Sequence, residues 1–435
     1  MIKVLVITYY WPPSGGSGVQ RWMYFCKHLK DFGIEPIVLT VDEQKASYKT
    51  IDQSLVDKVK DVQVFKTKTF ELLKLYSLIM TGDNKKGIPQ GHINSKKEGI
   101  FGKLTAYIRG NMFVPDARVG WNRYAIKKAK KIIQELDVNY IITTGPPQST
   151  HLIGLHLKQE MNHLKWLADF RDPWTEIYYN KYFLRTKKTI KKDASLELQV
   201  LKKADMVLTI GIKLKEMLQA KLPDEHEKFH YIYNGYDSFL MEETETKKHD
   251  YFEITFIGLL TESQPYESFI EIIQQFNKNN PAANFKICLA GQIQEVILQQ
   301  LLQLLPEDKI LHVGYVSHQE ALRLMKRSQL LINLLANMKE SQILISGKQM
   351  EYIATGSPIL CIGNKEGESA LILEGIKNAR VYEKDQIRES VDFLQEVYMK
   401  WEQGSEFANE AGANEIKKNS RYHLTGQLSE LIKRM

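Results

Sequence analysis

The stretch that decides the fold is the opening of the chain, MIKVLVITYYWPPSGGSGVQRWMYFCKHLKDFGIEPIVLT (residues 1–40). Its apolar run Val4–Thr8 predicts a strand, and the loop Tyr9–Ser17 that follows is rich in proline and glycine. Val19–Lys30 has helical periodicity, and Pro36–Thr40 predicts a second strand. A strand, a helix and a second strand in this order form a right-handed βαβ unit, which predicts a parallel sheet.

The same alternation of strand-like and helical runs continues along the chain. The further strands that we expect are Val62–Phe65, Tyr140–Thr143, Trp166–Ala168, Met206–Ile210, Ile254–Gly258, Phe285–Ala290, Ile310–Val313, Leu330–Leu334 and Ile359–Ile362. The expected helices include Tyr124–Leu136, Ser149–Gln159, Lys192–Lys203, Tyr266–Asn277 and Gln294–Leu305, with others from Ser317 and Lys348. Because 435 residues exceed what one core supports, we predict an α/β protein with two Rossmann-like, doubly wound parallel-sheet domains.

Composition places the boundary between these domains. Residues 1–240 form the expected first domain and 250–415 the second, joined by a linker rich in Glu, Thr and Lys. An insertion at about 70–121 interrupts the first domain, with amphipathic basic flanks at Leu72–Met80 and Leu104–Phe113. Ligands of parallel sheets bind at the carboxyl ends of the strands, so we expect a ligand cleft between two such edges.

Cysteine usage and hydropathy predict a cytoplasmic protein. Cys26, Cys288 and Cys361 lie far apart, form no metal-ligand spacing and suggest no disulfide framework. No apolar run approaches the roughly 18 residues that cross a bilayer, and the start of the chain has no signal-peptide pattern. We therefore expect no metal and no membrane span.

The charge is distributed unevenly. Residues 1–240 hold 38 Lys and Arg against 25 Asp and Glu, whereas the remainder holds 21 against 27. The basic residues are scattered on helices without a nucleic-acid-binding signature, which argues against a nucleic-acid partner. The pattern favours contact with an anionic membrane surface, at its cytoplasmic face, or with an acidic acceptor. The alternative is that these are solvated helix faces without a partner.

Two loops of the first half are candidates for ligand binding. Gly15 and Gly16 lie between a strand and a helix, where glycines let an anion approach the backbone, and Arg21 follows. One alternative is a nicotinamide site: Arg21 stands where its fingerprint has a small residue, but an acid, Asp42, follows the second strand as that fingerprint requires. A loop that only needs left-handed turns is a second alternative. His151 follows the strand Tyr140–Thr143, at an edge where ligands bind.

A third loop carries three charges within four residues, Asp169-Phe-Arg171-Asp172. Asp169 comes first after the expected strand Trp166–Ala168 and is the better functional candidate. Arg171 is a candidate for donor binding. The alternative is that Arg171 and Asp172 form an ion pair that holds the loop.

The strongest candidate site is Ser346-Gly347-Lys348-Gln-Met-Glu351, at the start of an expected short helix. Lys348 and Glu351 are three residues apart and share a helix face. The ammonium of Lys348 suits a phosphate, and the carboxylate of Glu351 suits two ribose hydroxyls. This spacing therefore indicates a nucleotide, although a plain surface ion pair is the alternative.

The order of these motifs resembles glycosyltransferase family 4, whose two-domain architecture is called GT-B. The segments that carry the resemblance are Tyr10-Trp-Pro-Pro-x-Gly-Gly-x-Gly-x-x-Arg21, Asn111-x-x-x-Pro-Asp116 with Trp121, Pro146-Pro-x-Ser-x-His151, Asp169-Phe-Arg-Asp-Pro-Trp174, Asn234-Gly-Tyr-Asp237 and Lys348-x-x-Glu-Tyr-x-Ala-x-Gly-x-Pro358.

The resemblance implies a hexosyltransferase-type enzyme that moves a sugar from a nucleotide-sugar donor to a glycan or lipid-linked acceptor, with retention and no cofactor or metal. It implies that Glu351 binds the ribose, that the Gly15–Gly16 loop lies near the donor phosphates and that His151 lies near the sugar. The predicted catalytic residues are His151, Asp169, Lys348 and Glu351. The predicted donor-binding residues are Gly15, Gly16, Arg21, Arg171, Gly258, Ser346, Gly347, Lys348 and Glu351. It also implies that a helix at about 420–435 packs on the first domain.

Two positions depart from the family pattern. The segment after Gly258 reads Leu-Leu-Thr-Glu-Ser-Gln-Pro and lacks the Arg and Lys that neutralise a diphosphate, and Ile343 replaces a second Glu. Lys348, Arg21 and Arg171 are therefore the expected counter-charges. Two alternatives remain open: a nucleotide-sugar epimerase or hydrolase on the same fold, and a non-catalytic sugar-nucleotide-binding protein.

Overall fold

The computed structural model describes residues 1–48, 50–71, 100–336, 341–404 and 412–435. The chain divides into two compact units. The first comprises Met1–Tyr233 together with Thr425–Met435, and the second comprises Asn234–Leu424. Each unit is built on one parallel sheet.

The first unit contains a seven-stranded sheet in the order β3-β2-β1-β4-β5-β6-β7, counted over its described residues. Its strands are β1 (Ile2–Ile7), β2 (Ile34–Val41), β3 (Gln63–Thr67), β4 (Tyr140–Gly145), β5 (Lys165–Phe170), β6 (Met206–Thr209) and β7 (Phe229–Tyr231). Its helices are α1 (Ser17–His28), α2 (Ile100–Met112), α3 (Asn122–Leu136), α4 (Ser149–Glu160), α5 (Lys187–Lys203) and α6 (Ile212–Gln219). All neighbouring strands are parallel.

The second unit contains a six-stranded parallel sheet in the order β10-β9-β8-β11-β12-β13, again over its described residues. Its strands are β8 (Phe252–Leu260), β9 (Phe285–Ile293), β10 (Ile310–Gly314), β11 (Leu330–Leu334), β12 (Ile359–Ile362) and β13 (Ala379–Tyr382). Its helices are α7 (Ser238–Glu243), α8 (Tyr266–Asn279), α9 (Glu295–Leu304), α10 (His318–Arg327), α11 (Gln349–Thr355), α12 (Glu368–Glu374), α13 (Ile387–Glu402) and α14 (Ala413–Lys418). Helix α15 (Arg421–Arg434) ends the chain.

Both sheets have the strand order of doubly wound Rossmann-like folds, in which the first strand lies beside the second and the fourth. The predicted α/β class with two parallel sheets is therefore confirmed. The central strands form because their residues are apolar and buried throughout, as Val4–Ile7 and Leu330–Leu334 are. Glycines in the left-handed conformation end helical segments at Gly33 and Gly356.

Several predicted bounds differ from the structure. Strand β5 continues beyond Ala168 and contains Asp169, and β8 continues past Gly258 to Leu260. The predicted strands ended where the apolar run is first interrupted, before the charged Asp169 in β5 and at Gly258 in β8, although Phe170 and Leu259–Leu260 beyond these positions still belong to the strands. The outer strands β7 and β13 were not predicted, since three or four residues are too few to show a period.

The predicted insertion and linker are described in part. The flank Leu72–Met80 lies outside the described residues, whereas the second flank forms helix α2. The segment predicted as a linker contains α7, which begins where Asp237 accepts a hydrogen bond from the Leu240 amide at 3.3 Å. Across the described residues, no helix combines the length and the apolar character needed to cross a membrane.

Candidate functional site

A buried ion pair lies at the carboxyl edge of the first sheet. Asp169, in β5, accepts hydrogen bonds from Arg21 Nε at 3.1 Å and Nη2 at 3.0 Å. Its other oxygen accepts from Trp22 Nε1 at 2.6 Å and from Thr144 Oγ1 at 2.8 Å. All four donors belong to the first unit, and Asp169 is completely buried. The Asp169 carboxylate is therefore already occupied by protein donors, as a buried charge requires.

Arg21 is occupied in the same way. Its Nη1 donates to the carbonyl oxygens of Ile232 at 2.7 Å and Tyr233 at 3.3 Å, beyond the end of β7. Its guanidinium thus ties α1, β5 and the end of the sheet together. Arg21 lies in the core of the first unit, where it performs this structural task, and its side chain is not presented to solvent.

Arg171 also holds loops of the first unit. Its Nε donates to the Gly145 carbonyl at 3.2 Å, and its two terminal nitrogens donate to the Gly18 and Pro146 carbonyls. The alternative ion pair of Arg171 with Asp172 does not form within salt-bridge distance among the described residues, although the charge of Arg171 still lowers the pKa of Asp172 against the larger effect of burial, which raises it. Gly18 leaves room for the guanidinium, since a Cβ at that position would lie 2.7 Å from Arg171 Nη1.

His151, in the first turn of α4, is fully buried and stacks on Phe170 with ring centroids 4.3 Å apart. Burial lowers the pKa of His151 to about 3, helped by the charge of Arg171 and opposed by that of Asp169. The imidazole is therefore neutral at physiological pH.

The hydrogen bonds around His151 assign its tautomer. Trp166 Nε1 donates to Thr143 Oγ1 at 2.9 Å, and the same oxygen lies 2.9 Å from His151 Nδ1. Among the described residues the Thr143 hydroxyl has no other acceptor than Nδ1, so we assign its proton to the bond with Nδ1 and the ring proton of His151 to Nε2. Nε2 has no partner among the described residues, and neither has Gln148 Oε1. Both atoms lie against Gly145, where a Cβ would collide with each.

The loop that contains Gly15 and Gly16 is held by backbone hydrogen bonds to the segment Thr50–Asp52. The Gly15 amide donates to the Thr50 carbonyl at 2.9 Å, and the Asp52 amide donates to the Pro13 carbonyl at 2.8 Å. Gly16 precedes α1 with φ of 94°, a conformation that favours glycine. Gly15 and Gly16 both line a cavity of about 530 Å³ in the first unit.

That cavity collects several sequence-predicted residues of the first unit. Gly15, Gly16 and Arg171 lie in its wall, whereas His151, Asp169 and Arg21 lie behind the wall. Other lining residues are Tyr10, Arg109, Phe113, Asp172, Trp174, Tyr179, Tyr182 and Phe183. The loop after β1, helix α2 with the residue after it, and the segment after β5 supply these residues. The sequence motifs contained Tyr10, Asp172 and Trp174, and the predicted flank Leu104–Phe113 contained Arg109 and Phe113, whereas no pattern had marked Tyr179, Tyr182 and Phe183.

In the second unit, Glu351 is the centre of a small charged cluster. Its Oε1 lies 2.6 Å from His318 Nε2, and its Oε2 lies 3.3 Å from Lys348 Nζ. Burial would raise the pKa of Glu351, but the hydrogen bond from His318 and the charges of Lys348 and Arg421 outweigh it and lower that pKa. Glu351 is therefore an ionised, largely buried carboxylate at physiological pH.

His318 was not predicted. It is the first residue of α10, after Ser317, whose hydroxyl accepts from the Glu320 amide at 3.2 Å. One signal for it existed in the sequence: Gly314-Tyr-Val-Ser-His318 follows a strand, and such positions gather at the ligand-binding edge of a parallel sheet.

Helix α11 holds Glu351 in place through its buried polar residues. Gln349 Nε2 donates to the Ser369 carbonyl at 2.8 Å and its Oε1 accepts from Asn333 Nδ2 at 3.2 Å. The Tyr352 hydroxyl accepts from the Ile257 amide at 3.0 Å, which joins α11 to β8. These bonds limit the rotation of α11, so the position of the Glu351 carboxylate is set by the core.

The predicted start of this helix differs in detail. Helix α11 begins at Gln349, and Lys348 stands just before it instead of in its first turn. Ser346 Oγ is 3.4 Å from the Lys348 amide, which is the far limit of a hydrogen bond. Gly347 is exposed, with open space where a side chain would lie.

Gly258 lies inside β8, paired with Gly291 in β9. Both have positive φ values, 140° and 116°, and a Cβ at Gly291 would collide with the Gly258 carbonyl. The loop after β8 is held by polar side chains: the Glu262 amide donates to Gln294 Oε1 at 3.0 Å, and Gln294 Nε2 donates to Glu262 Oε2 at 3.1 Å. Glu262 therefore lies in the loop where the sequence pattern of glycosyltransferase family 4 has an Arg and a Lys.

Comparison with known proteins defines the fold. No family model matches the sequence, and no curated protein matches it with significance. Solved structures do match. A glycosyltransferase from Rickettsia africae is 14% identical with a TM-score of 0.61, covering 100% of this chain and 98% of that chain.

Two further structures cover as much. A TarM variant from S. aureus, in complex with Fondaparinux, alpha-GlcNAc-glycerol and UDP, is 13% identical with a TM-score of 0.54, over 99% of each chain. A putative UDP-N-acetylglucosamine 2-epimerase from Listeria monocytogenes is 12% identical with a TM-score of 0.50, over 99% of this chain and 96% of that chain. The chain has the GT-B fold.

Within this GT-B chain, the structure gathers the predicted site residues into two groups. Lys348, Glu351 and the newly found His318 form one charged cluster in the second unit. In the first unit, Gly15 and Gly16 line the cavity, while Asp169, Arg21 and Arg171 make the hydrogen bonds that support its wall. Over the described residues, no group of three His, Cys, Asp or Glu side chains is placed to hold a metal ion.

Proposed function

We propose that this protein is a glycosyltransferase that moves a hexosyl group from a nucleoside-diphosphate sugar to a glycan or lipid-linked acceptor. The observation that carries the proposal is the ionised Glu351 between His318 and Lys348, in the second unit of a GT-B fold. The proposal extends to a role in cell-surface polysaccharide or glycan synthesis, and it includes retention at the anomeric carbon without a metal or organic cofactor.

The cluster in the second unit suits the nucleotide part of such a donor. A carboxylate accepts hydrogen bonds from two neighbouring hydroxyls, as the ribose of a nucleotide offers. Lys348, one third exposed, can contact a phosphate while it remains close to Glu351. Negative charge develops on the leaving diphosphate as the glycosidic bond breaks, and a nearby ammonium stabilises that charge.

The neutral Nε2–H of His151 supports a further assignment. It is a donor without a partner among the described residues, and its low pKa keeps it uncharged. Because His151 is completely buried behind the cavity wall, we assign to it a hydrogen bond with a bound water molecule, which can in turn contact an oxygen of the transferred sugar. A fixed neutral donor of this kind positions a hydroxyl group without adding charge to the site.

A basic and apolar surface on the first unit supports the proposed contact with an anionic membrane. Its apolar members are exposed: Tyr107, Met112, Tyr182, Leu184 and Ile190. Asn111 connects α2 to the segment before α5: its Nδ2 donates to the Leu184 carbonyl at 2.8 Å, and its Oδ1 accepts from the Thr186 amide at 2.8 Å. The exposed lysines beside them are Lys181, Lys187, Lys188, Lys191 and Lys192.

Lysines attract anionic headgroups and exposed apolar side chains enter the interface, so binding should depend on salt and lipid charge. Co-sedimentation with vesicles of phosphatidylglycerol and phosphatidylcholine tests this. We expect two variants to bind the vesicles more weakly: the single variant Leu184→Ser, and the double variant Lys187→Gln/Lys191→Gln. Lys131→Gln, on an exposed ion pair with Glu135 of α3, is the control. Equal sedimentation with neutral vesicles would contradict the proposal.

One observation favours a second candidate function, a nucleotide-sugar epimerase or hydrolase. The putative epimerase from Listeria monocytogenes matches this chain over 99% of its length. Such an enzyme converts its donor without any acceptor, whereas a transferase needs one.

Binding and product analysis test both functions. The full chain is screened by thermal shift against UDP, GDP and dTDP and their sugars, since a ligand of the folded state raises the melting temperature. The nucleotide that binds is then supplied as its sugar, with and without glycan and lipid-linked acceptors. Nucleotide release that requires an acceptor supports the transferase. Conversion without one supports the epimerase or hydrolase, and binding without any conversion supports a non-catalytic protein.

A further inference from the structure

The cavity of the first unit has a wall of aromatic side chains. Phe113, Trp174, Tyr179 and Phe183 line it. Aromatic faces in a concave site pack against the apolar C–H faces of a ring while polar groups orient it. The volume of about 530 Å³ is in the range of small-molecule sites.

Most cations in this wall are engaged by protein partners. Arg118 Nη1 lies 3.0 Å from Glu71, Arg185 Nη2 lies 2.6 Å from Asp193, and Arg171 donates to backbone carbonyls. Their charges are therefore balanced or satisfied before any ligand binds.

Arg109, near the end of α2, is different. Its guanidinium lies 5.2 Å from the centroid of the Phe183 ring. Among the described residues, no carboxylate pairs with it and no hydrogen bond holds it. Burial lowers its pKa from the ordinary range, which means that its charge has lost part of its solvation. A partly desolvated guanidinium in a cavity favours an anionic partner, and its planar fork suits a phosphate or a carboxylate.

A carboxylate complements this cation elsewhere in the wall. Asp172 lines the cavity, and within the described residues its side-chain oxygens accept no hydrogen bond. A carboxylate accepts hydrogen bonds from hydroxyl groups. The wall thus offers an unpaired cation for an anion, aromatic faces for a ring and an acceptor for hydroxyls.

We propose that the first-unit cavity binds an anionic saccharide, with a phosphate or carboxylate of the sugar at Arg109 and its ring on the aromatic wall. The proposal rests on the proposed function, because it names this saccharide as the acceptor class of the same enzyme. Arg109 acts by binding and takes no part in bond breaking.

Binding to the full chain tests the proposal, with calorimetry as the readout and intrinsic tryptophan fluorescence as a second signal. The probes are glucuronate, glucose 1-phosphate, glucose and inorganic phosphate. We expect the two anionic sugars to bind at least about 10-fold more tightly than glucose, in line with a charge-assisted hydrogen bond of about 1.5–3 kcal/mol. Salt should weaken the binding of the anionic sugars and leave that of glucose unchanged.

Substitutions assign the effect to Arg109. Arg109→Gln should remove the preference for anionic sugars, and Arg109→Lys should keep part of it. Arg123→Gln is the matched control, since Arg123 also lies over an aromatic ring, that of Tyr124 at 4.7 Å, but outside the cavity wall. Circular dichroism verifies that each variant is folded.

The outcomes separate this inference from the proposed function. Nucleotide binding should be the same in Arg109→Gln and wild type, because the nucleotide cluster belongs to the other unit. Nucleotide binding without a preference for anionic sugars would overturn the inference alone, as would a preference that persists in Arg109→Gln. Inorganic phosphate that binds as tightly as glucose 1-phosphate would overturn the part assigned to the aromatic wall. Anionic sugars that bind a chain with no affinity for nucleotides would overturn the proposed function instead.

Discussion

His318 Nε2 lies 2.6 Å from Oε1 of Glu351, although 33 residues separate them in the chain. The bond joins the start of α10 to α11 and leaves Lys348 beside the other oxygen. Glu351 is therefore oriented before a ligand binds, which reduces the conformational entropy that its side chain would lose when a ribose binds.

Replacing Glu351 tests the nucleotide site. Glu351→Gln keeps the shape of the side chain but loses the charge, so we expect nucleotide binding to weaken by about 10- to 100-fold, as for loss of one charged hydrogen bond. Calorimetry with the nucleotide found in the screen measures this. Glu320→Gln, an exposed carboxylate paired with Arg323 on α10, should bind as wild type does. Unchanged affinity in Glu351→Gln would remove Glu351 from the site.

Lys348 should matter more for turnover than for nucleoside recognition. Lys348→Ala removes the ammonium that would stabilise the leaving diphosphate, and we expect kcat to fall by about 100-fold, with a smaller rise in KM for the donor. Steady-state kinetics measure the two constants. Lys400→Ala, an exposed lysine paired with Glu396, is the control. A KM effect alone would limit Lys348 to ground-state binding.

His318 should act through Glu351. In His318→Leu the carboxylate loses its hydrogen bond, so the pKa of Glu351 should rise, and binding that needs the ionised form should be lost at a higher pH than in wild type. The acid limb of a pH profile of nucleotide binding measures this shift. His318→Gln retains a donor and should shift it less. Profiles that coincide would show that His318 does not control Glu351.

The pair of Asp169 and Arg21 should contribute to stability. Asp169→Leu leaves the Arg21 charge buried without its partner, and we expect a loss of about 3–5 kcal/mol in the free energy of unfolding. Urea unfolding measures it. The double variant Arg21→Met/Asp169→Leu should lose less free energy of unfolding than the sum of the losses in the two single variants. Glu43→Gln, in a partly exposed pair with Lys66, should cost less than about 1 kcal/mol. Asp169→Asn that keeps full stability but loses turnover would make Asp169 catalytic instead.

Protonation of His151 should destabilise the fold in acid. Its pKa is about 3 when folded and about 6.5 when unfolded, so below pH 6.5 the unfolded chain binds the extra proton. Stability from this group is complete above pH 6.5 and falls as pH decreases towards 3, by about 2 kcal/mol from pH 7.5 to 5. Urea unfolding at several pH values should show that His151→Gln lacks this part of the slope, whereas His163→Gln, at an exposed position, keeps it.

The local pattern of the sequence was enough to predict the α/β class, the two parallel sheets and most of their strands. It also marked Lys348 and Glu351, because residues three apart on a short helical segment share a face whatever surrounds them. It misplaced two strand ends, before the charged Asp169 in β5 and at Gly258 in β8, because the first residue that interrupts an apolar run was taken as the end of the strand. Apolar periodicity carries no information at such positions.

Only the tertiary structure decided which charges meet. Asp169 and Arg21 lie 148 residues apart in the chain, and His318 and Glu351 lie 33 apart. Their contacts depend on the order of the strands and on the direction of each side chain at the sheet edge, which no local pattern encodes. The sequence marked Arg21 and Asp169 separately as candidate site residues, and only the structure shows that they form a buried pair with each other. A charged side chain is buried only where a partner compensates for its lost solvation, and the fold determines where that partner lies.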